Sequence, residues 1–268
     1  MSITWRGKNI LAKVTKIQAQ KRKGRYNVFL DGQYAFPVAE TTLIEFRLMN
    51  GVELTDGQIK EIKDRENVNK AYGDAVNYLS YQLRTEKEIK DYLYKKEYHR
   101  DAVDDVIARL EKLHYLDDGN YAKSFINTQL RTTANGPKII EQKLHQKGVP
   151  DTIIQDKLFE IDEDTLVENA TEFAKKQARK QKRASFSQML TKIKQSLYQK
   201  GYNNEIIEEA LKGLELEPDE DDELEKLRKL VQKVEHRYDK PEKLIKYLMT
   251  KGFHFDEIKK VLSEDSDD

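Results

Sequence analysis

The 268-residue chain contains no cysteine. Disulfides and thiol nucleophiles are excluded, and a zinc site would lack its commonest ligand. No apolar run approaches the roughly 18 residues of a membrane span. The N-terminus carries charges without the apolar core, about 7–15 residues long, of a secretory signal. A cytoplasmic protein is expected. Phosphate-binding glycine motifs of the GxxxxGKS/T and GxGxxG kinds are absent. The five histidines, His99, His114, His145, His236 and His254, show no HxxxH or HExxH spacing for a metal. Asp117-Asp118 is a paired carboxylate, but it precedes a helix, where acids cap and favour the dipole. No catalytic constellation, metal site or cofactor is expected.

What the chain does contain is one phrase written four times, at residues 89–107, 140–158, 193–211 and 244–262. Each copy reads as a helix, a turn and a second helix. The turn positions are Glu97, Gly148, Gly201 and Gly252. Such a period means tandem structural units. Four residues before the turn stand Leu93, Leu144, Leu197 and Leu248; one after it stand Tyr98, Val149, Tyr202 and Phe253. The columns at Ile89, Val103 and Ile107, and their counterparts in the other copies, are apolar throughout. Spacings of four place them on one face of each helix. Glycine at the turn predicts a left-handed residue closing the first helix, with the following apolar side chain packed on the leucine before it. Glu97 in the first copy is expected to cost about 1 kcal/mol if it keeps that backbone. His99 and His254, each two residues after a turn, read as cap or turn positions.

Leu11 to Ile17 alternate apolar and polar, which predicts a strand over 10–21. Residues 26–30 and 33–38 are two more, joined by Asp31-Gly32, a strong hairpin signal. Pro37 belongs on an edge. A three-stranded antiparallel sheet is expected, followed by a short helix over 40–48. Thr55 with Gln58 predicts a cap for the next helix, which carries Ile59 and Ile62. Thr85 with Glu88 is a second capping box, and Gly136-Pro137 opens a helix with proline at its start. The expected fold is mainly α: tandem three-helix repeats in a curved, elongated array, with a small N-terminal β-sheet extension. The expected divisions are an extension over 1–66, repeats over 67–116, 117–162, 163–216 and 217–262, and a disordered acidic tail over 263–268.

Charged residues make up 36% and hydrophobic ones 38%, which suits a row of small units with modest cores. The net charge of zero conceals segregation. Residues 173–204 hold nine Lys/Arg and no acid, whereas residues 214–268 hold 11 basic and 17 acidic residues. At 100° per residue, Lys175, Lys176, Arg179, Lys180, Lys182 and Arg183 fall within an arc of about 160°. Leu166, Val167, Ala170, Phe173, Ala174 and Ala178 occupy the opposite side. Solvated faces usually mix signs, so a wholly basic one points to a polyanion. Lys192, Lys194 and Lys200 extend the patch. Residues 1–30, with eight Lys/Arg and no acid, are a second candidate through Lys13, Lys16, Lys21, Arg22, Lys23 and Arg25.

The stretch Leu113–Ala122 (LHYLDDGNYA), with Gly136-Pro137, Ile140, Leu144 and Lys147-Gly148, resembles the RecX family of bacterial recombinase regulators. Residues 78–93, including Arg84 and Glu88, resemble that family's first repeat. Residues 25–38 (RYNVFLDGQYAFPV) resemble the extension of its longer, Gram-positive-type members. The resemblance implies stacked three-helix repeats and no enzymatic activity. It implies binding to RecA–single-stranded DNA filaments, with inhibition of recombinase and co-protease functions in DNA repair and the SOS response. A monomer that contacts the filament through Lys175, Lys176, Arg179, Lys180, Lys182, Arg183, Lys192 and Lys194 is expected. The alternatives are a helical-repeat nucleic-acid-binding regulator acting independently of RecA, and a pure protein scaffold.

Overall fold

The computed structural model describes residues 11–264, which fall into two compact units. The first comprises the described residues up to 121 together with 147–149, the second residues 122–146 and the described residues from 150 onward. Ile10 of the expected first strand and residues 265–268 of the expected tail lie outside the described residues.

The first unit opens with β1 (Leu11–Ala19), β2 (Arg25–Leu30) and β3 (Gln33–Ala39), then α1 (Glu40–Glu45) and β4 (Glu53–Thr55). The antiparallel sheet has four strands rather than three, in the order β3-β2-β1-β4. The added strand is only three residues long and pairs Leu54 with Ala12, too short to show an alternation of its own. Asp31 and Gly32 both have positive φ (49° and 82°), as the tight hairpin requires. Pro37 lies in β3, an edge strand, where its missing N–H costs no ladder bond. Val14, Val28, Phe36 and Val38 point to one face and pack with Leu48, Leu54 and Ile62.

Ile62 belongs to α2 (Asp56–Leu79), one continuous helix that runs across the expected division between residues 66 and 67. No proline or cap interrupts it, so its N-terminal half covers the sheet while Ala71 and Ala75 enter the first repeat's core. Glu66, between these two contacts, is 8% exposed. It pairs with Arg25 and accepts hydrogen bonds from Ala39 N and Thr42 Oγ1, both at 2.8 Å. The repeat is completed by α3 (Glu86–Lys95) and α4 (Arg100–Lys112), with Ile89, Leu93, Tyr98, Val103 and Ile107 buried as the columns predict.

The later repeats are built alike, from α5 (Asp118–Thr132), α6 (Pro137–Gln146) and α7 (Asp151–Phe159), then α8 (Glu163–Lys180), α9 (Phe186–Gln199) and α10 (Asn204–Lys212). A last set has α11 (Glu220–Val234), α12 (Pro241–Thr250) and α13 (Phe255–Glu264). The turn residues Glu97, Gly148, Gly201 and Gly252 have φ of 64°, 81°, 86° and 87°. Backbone bonds of 3.2 Å from Tyr98 N to Leu93 O and from Tyr202 N to Leu197 O close two of the turns. These are the expected Schellman closures. His99 occupies the N-cap of α4, but its side chain makes no cap bond.

The glycines also have a second task. Lys147, Lys200 and Lys251, each just before its glycine, turn their carbonyls to the start of an earlier middle helix. Thr85 Oγ1, Gly136 N and Ser185 Oγ donate to them, each at 2.7 Å. A Cβ on Gly201 would lie 2.8 Å from Ile139 N, and one on Gly252 2.6 Å from Ser185 Oγ. A Cβ on Gly148 would overlap the Lys87 side chain. Glu97, at the corresponding position of the first turn, is exposed, and that turn does carry a side chain.

The first N–H of each of these helices is also accounted for. Asp118 Oδ1 accepts from Glu86 N at 2.9 Å and Glu223 Oε2 from Phe186 N at 3.0 Å. At α6 the equivalent residue is Pro137, which has no N–H to satisfy. Asp118 therefore caps α3 rather than its own helix, which Asp117 caps through Asn120 N at 2.9 Å.

Candidate nucleic-acid interface

The basic patch lies on the second unit. The helix α8 presents Leu166, Ala170 and Ala174 to the core and leaves Lys175, Lys176, Arg179 and Lys180 exposed. The helical arc drawn from the sequence runs too far. Gln181 caps α8, and bonds from Gln181 N to Ala178 O and from Ala184 N to Gln181 O, both 2.9 Å, tighten the chain into a turn. Lys182 and Arg183 sit in that turn and remain exposed. Ser185 then caps α9 through Gln188 N, at 3.2 Å.

The turn gathers Lys180, Lys182, Arg183 and Lys192 around an open groove of about 420 Å³, with Gln181 and Gln188 between them. Lys192 Nζ donates to Gln181 Oε1 at 3.1 Å, which holds the start of α9 to the turn. No carboxylate lines this groove. Among the described residues, Lys176, Arg179, Lys180, Lys182 and Arg183 have no acidic partner.

Three lysines of the patch are otherwise engaged. Lys175 pairs with Glu172 at 3.2 Å. Lys194 pairs with Glu208 of α10, which raises the lysine's pKa. Both acids lie outside the acid-free stretch of sequence. Lys200 packs its ammonium 5.7 Å from the centre of the Phe173 ring. The other basic candidate is also divided: Arg25 is taken by Glu66, Lys16 lies over Phe29, and Lys21, Arg22 and Lys23 are exposed in the β1–β2 turn.

Among the described residues one trio has metal-ligand types close together, Glu141, His145 and Asp151, with ligand atoms within 4.8 Å of one another. His145 Nε2 is 3.4 Å from Asp151 Oδ1, and Gln155 Nε2 donates to Glu141 Oε1 at 2.7 Å. The group lies at the surface, with Glu141 half-buried and His145 and Asp151 exposed. Local spacing missed it because the third member comes from α7.

Comparison with known proteins agrees with this architecture. Residues 12–55 match the regulatory protein RecX N-terminal domain. Residues 71–110, 117–158 and 163–211 match the first, second and third three-helix domains of RecX. The chain belongs to the RecX family. The regulatory protein RecX of Levilactobacillus brevis is 38% identical over 260 residues, covering 95% of this chain and 98% of the relative. That of Lactobacillus gasseri is 39% identical over 256 residues, covering 93% and 94%. A crystal structure of regulatory protein RecX superposes with a TM-score of 0.68 at 40% identity, covering 75% of this chain and all of its own. RecX from Lactobacillus salivarius gives 0.56 at 37% identity, over 57% of this chain and 99% of its own.

The RecX family is one of regulatory proteins. The basic patch falls in its third three-helix domain, and α11–α13 follow the last matched domain. No described helix is long and apolar enough to cross a membrane.

Proposed function

We propose that this protein binds RecA–single-stranded DNA filaments and restrains their recombinase and co-protease activities, as a cytoplasmic monomer without catalytic chemistry of its own. RecX membership supports the regulatory part. The observation that carries the binding part is the set Lys176, Arg179, Lys180, Lys182 and Arg183, exposed together without a carboxylate partner. Unpaired cations on a rigid helix and turn attract phosphates and release counterions on contact. Lys192 completes the groove, while Lys175 and Lys194 contribute only by exchanging a surface ion pair for a phosphate, at small cost. Such a surface reads phosphate rather than base edges, as filament-bound DNA requires.

RecA-dependent ATP hydrolysis and strand exchange on single-stranded DNA, with the protein added, test this reading. Both rates should fall. The triple variant Lys176→Gln, Arg179→Gln, Arg183→Gln should fold normally, because exposed substitutions usually change stability by less than about 0.5 kcal/mol each. It should inhibit less, and its log affinity against log salt should be shallower by about 0.7 per lost phosphate contact. Wild-type inhibition by the variant would refute the interface. Unchanged RecA rates at saturating protein would refute the filament reading and favour a nucleic-acid-binding regulator independent of RecA.

A further inference from the structure

The acid-free patch has a counterweight that the sequence separates from it. Residues 215–225 hold eight acids and no base. The fold brings this segment back to the patch: a cleft of about 390 Å³ is lined by Arg179 and Lys182 and, from the segment and the start of α11, by Glu217, Asp219, Asp222 and Glu223, with Lys226 paired to the last two. We propose that this acidic segment is an intramolecular competitor for nucleic-acid phosphate at Arg179 and Lys182. The proposal rests on the interface assigned above.

Two of the four acids hold the segment in place. Asp219 caps α11 through Asp221 N and Asp222 N, and Glu223 is buried against Phe186 N. The other two provide the field. Glu217 is exposed with no partner among the described residues, and Asp222 is shared only with Lys226, at 2.7 Å. Neither forms a direct ion pair with Arg179 or Lys182, so the cations stay open to a stronger anion. Lys182 lines both this cleft and the acid-free groove. A phosphate chain entering from the groove therefore meets repulsion where the acids begin. With a screening length of about 8 Å at physiological salt, that repulsion is confined to the cleft. The segment thus weakens and bounds nucleic-acid binding at this end of the patch.

The test is binding of the full chain to a labelled single strand at about 50 mM and about 200 mM salt. Glu217→Gln with Asp222→Asn removes the two field acids and leaves both caps. It should bind several-fold more tightly at the lower salt. If each freed cation takes one phosphate, the salt slope steepens by about 1.4 and the gain shrinks about sevenfold between the two salts. Glu220→Gln with Asp221→Asn makes the same charge change outside the cleft and should shift affinity less than about twofold, by screening. In an Arg179→Gln, Lys182→Gln background the cleft substitutions should do nothing. Wild-type affinity and slope for the cleft variant, or an equal gain from the control pair, would overturn the proposal. Failure of the interface itself reads differently: the Lys176, Arg179, Arg183 variant would then bind like wild type. No binding by any variant would overturn both.

Discussion

Replacing Gly201 should cost much more than its backbone conformation alone explains. Its φ of 86° burdens any residue with a Cβ by about 1–2 kcal/mol. The Cβ would also sit 2.8 Å from Ile139 N and 2.9 Å from Ile139 Cγ1. Backbone in the first turn of α6 cannot yield as a side chain tip does. The turn must move away, which endangers the bonds Gly136 N to Lys200 O, at 2.7 Å, and Lys138 N to Gly201 O, at 3.2 Å. At about 1 kcal/mol each, these bring the expected loss for Gly201→Ala to about 3–4 kcal/mol. Two comparisons separate the causes. Gly51, with φ of 94° and nothing within 4 Å of an added Cβ, should lose only about 1–2 kcal/mol on substitution by alanine. Gly201→Asn relieves most of the conformational term, because asparagine tolerates the left-handed region, but keeps the collision. Urea unfolding followed by circular dichroism measures all three. If Gly201→Asn is nearly neutral, or Gly201→Ala costs no more than Gly51→Ala, the close approach is not what selects glycine at these turns.

Four further outcomes follow from single side chains. Glu97→Gly should stabilise by about 1 kcal/mol in the same assay, since Glu97 pays the left-handed penalty at a φ of 64°. Tyr202 buries a hydroxyl without a partner among the described residues, and burial pushes its pKa up to about 12, so Tyr202→Phe should gain about 1 kcal/mol. Tyr98, at the same repeat position, donates to Asp74 at 2.9 Å, and Tyr98→Phe should lose about as much. Burial raises the carboxyl pKa of Asp118 above its ordinary 3.8. The folded state then holds that proton more tightly than the unfolded chain, so the group's contribution falls as pH rises from about 3.8 through the raised value. Asp118→Asn, which keeps an oxygen to accept from Glu86 N, should flatten that decline in a stability–pH profile.

Which features were legible follows from how far apart in sequence their causes lie. The capping boxes at Thr55 and Thr85, the Asp31-Gly32 hairpin and the apolar columns each depend on residues within about a dozen positions, and each appears in the structure. The turn glycines show only half their reason in the sequence: positive φ is local, but the approach of Gly201 to Ile139 crosses from one repeat to another. Asp118 looks in sequence like a cap of its own helix for the same cause, since the N–H it satisfies belongs to Glu86, 32 residues earlier. The basic patch divides along the same line. Its cations on α8 follow from the helical period, and the partner of Lys175 stands three residues before it, just outside the acid-free window. Glu208 beside Lys194 comes instead from the next helix, and Lys192 joins Lys180–Arg183 only through the turn at Gln181. In the sequence Glu217 and Asp222 belong only to the acid-rich stretch after residue 214, opposite in charge to the patch. Only the packing of α11 against the start of α9, fixed by Glu223 on Phe186 N, makes them part of the same surface. A charge pattern in one dimension can thus nominate a phosphate-binding face, but its strength depends on acids that the fold returns to it.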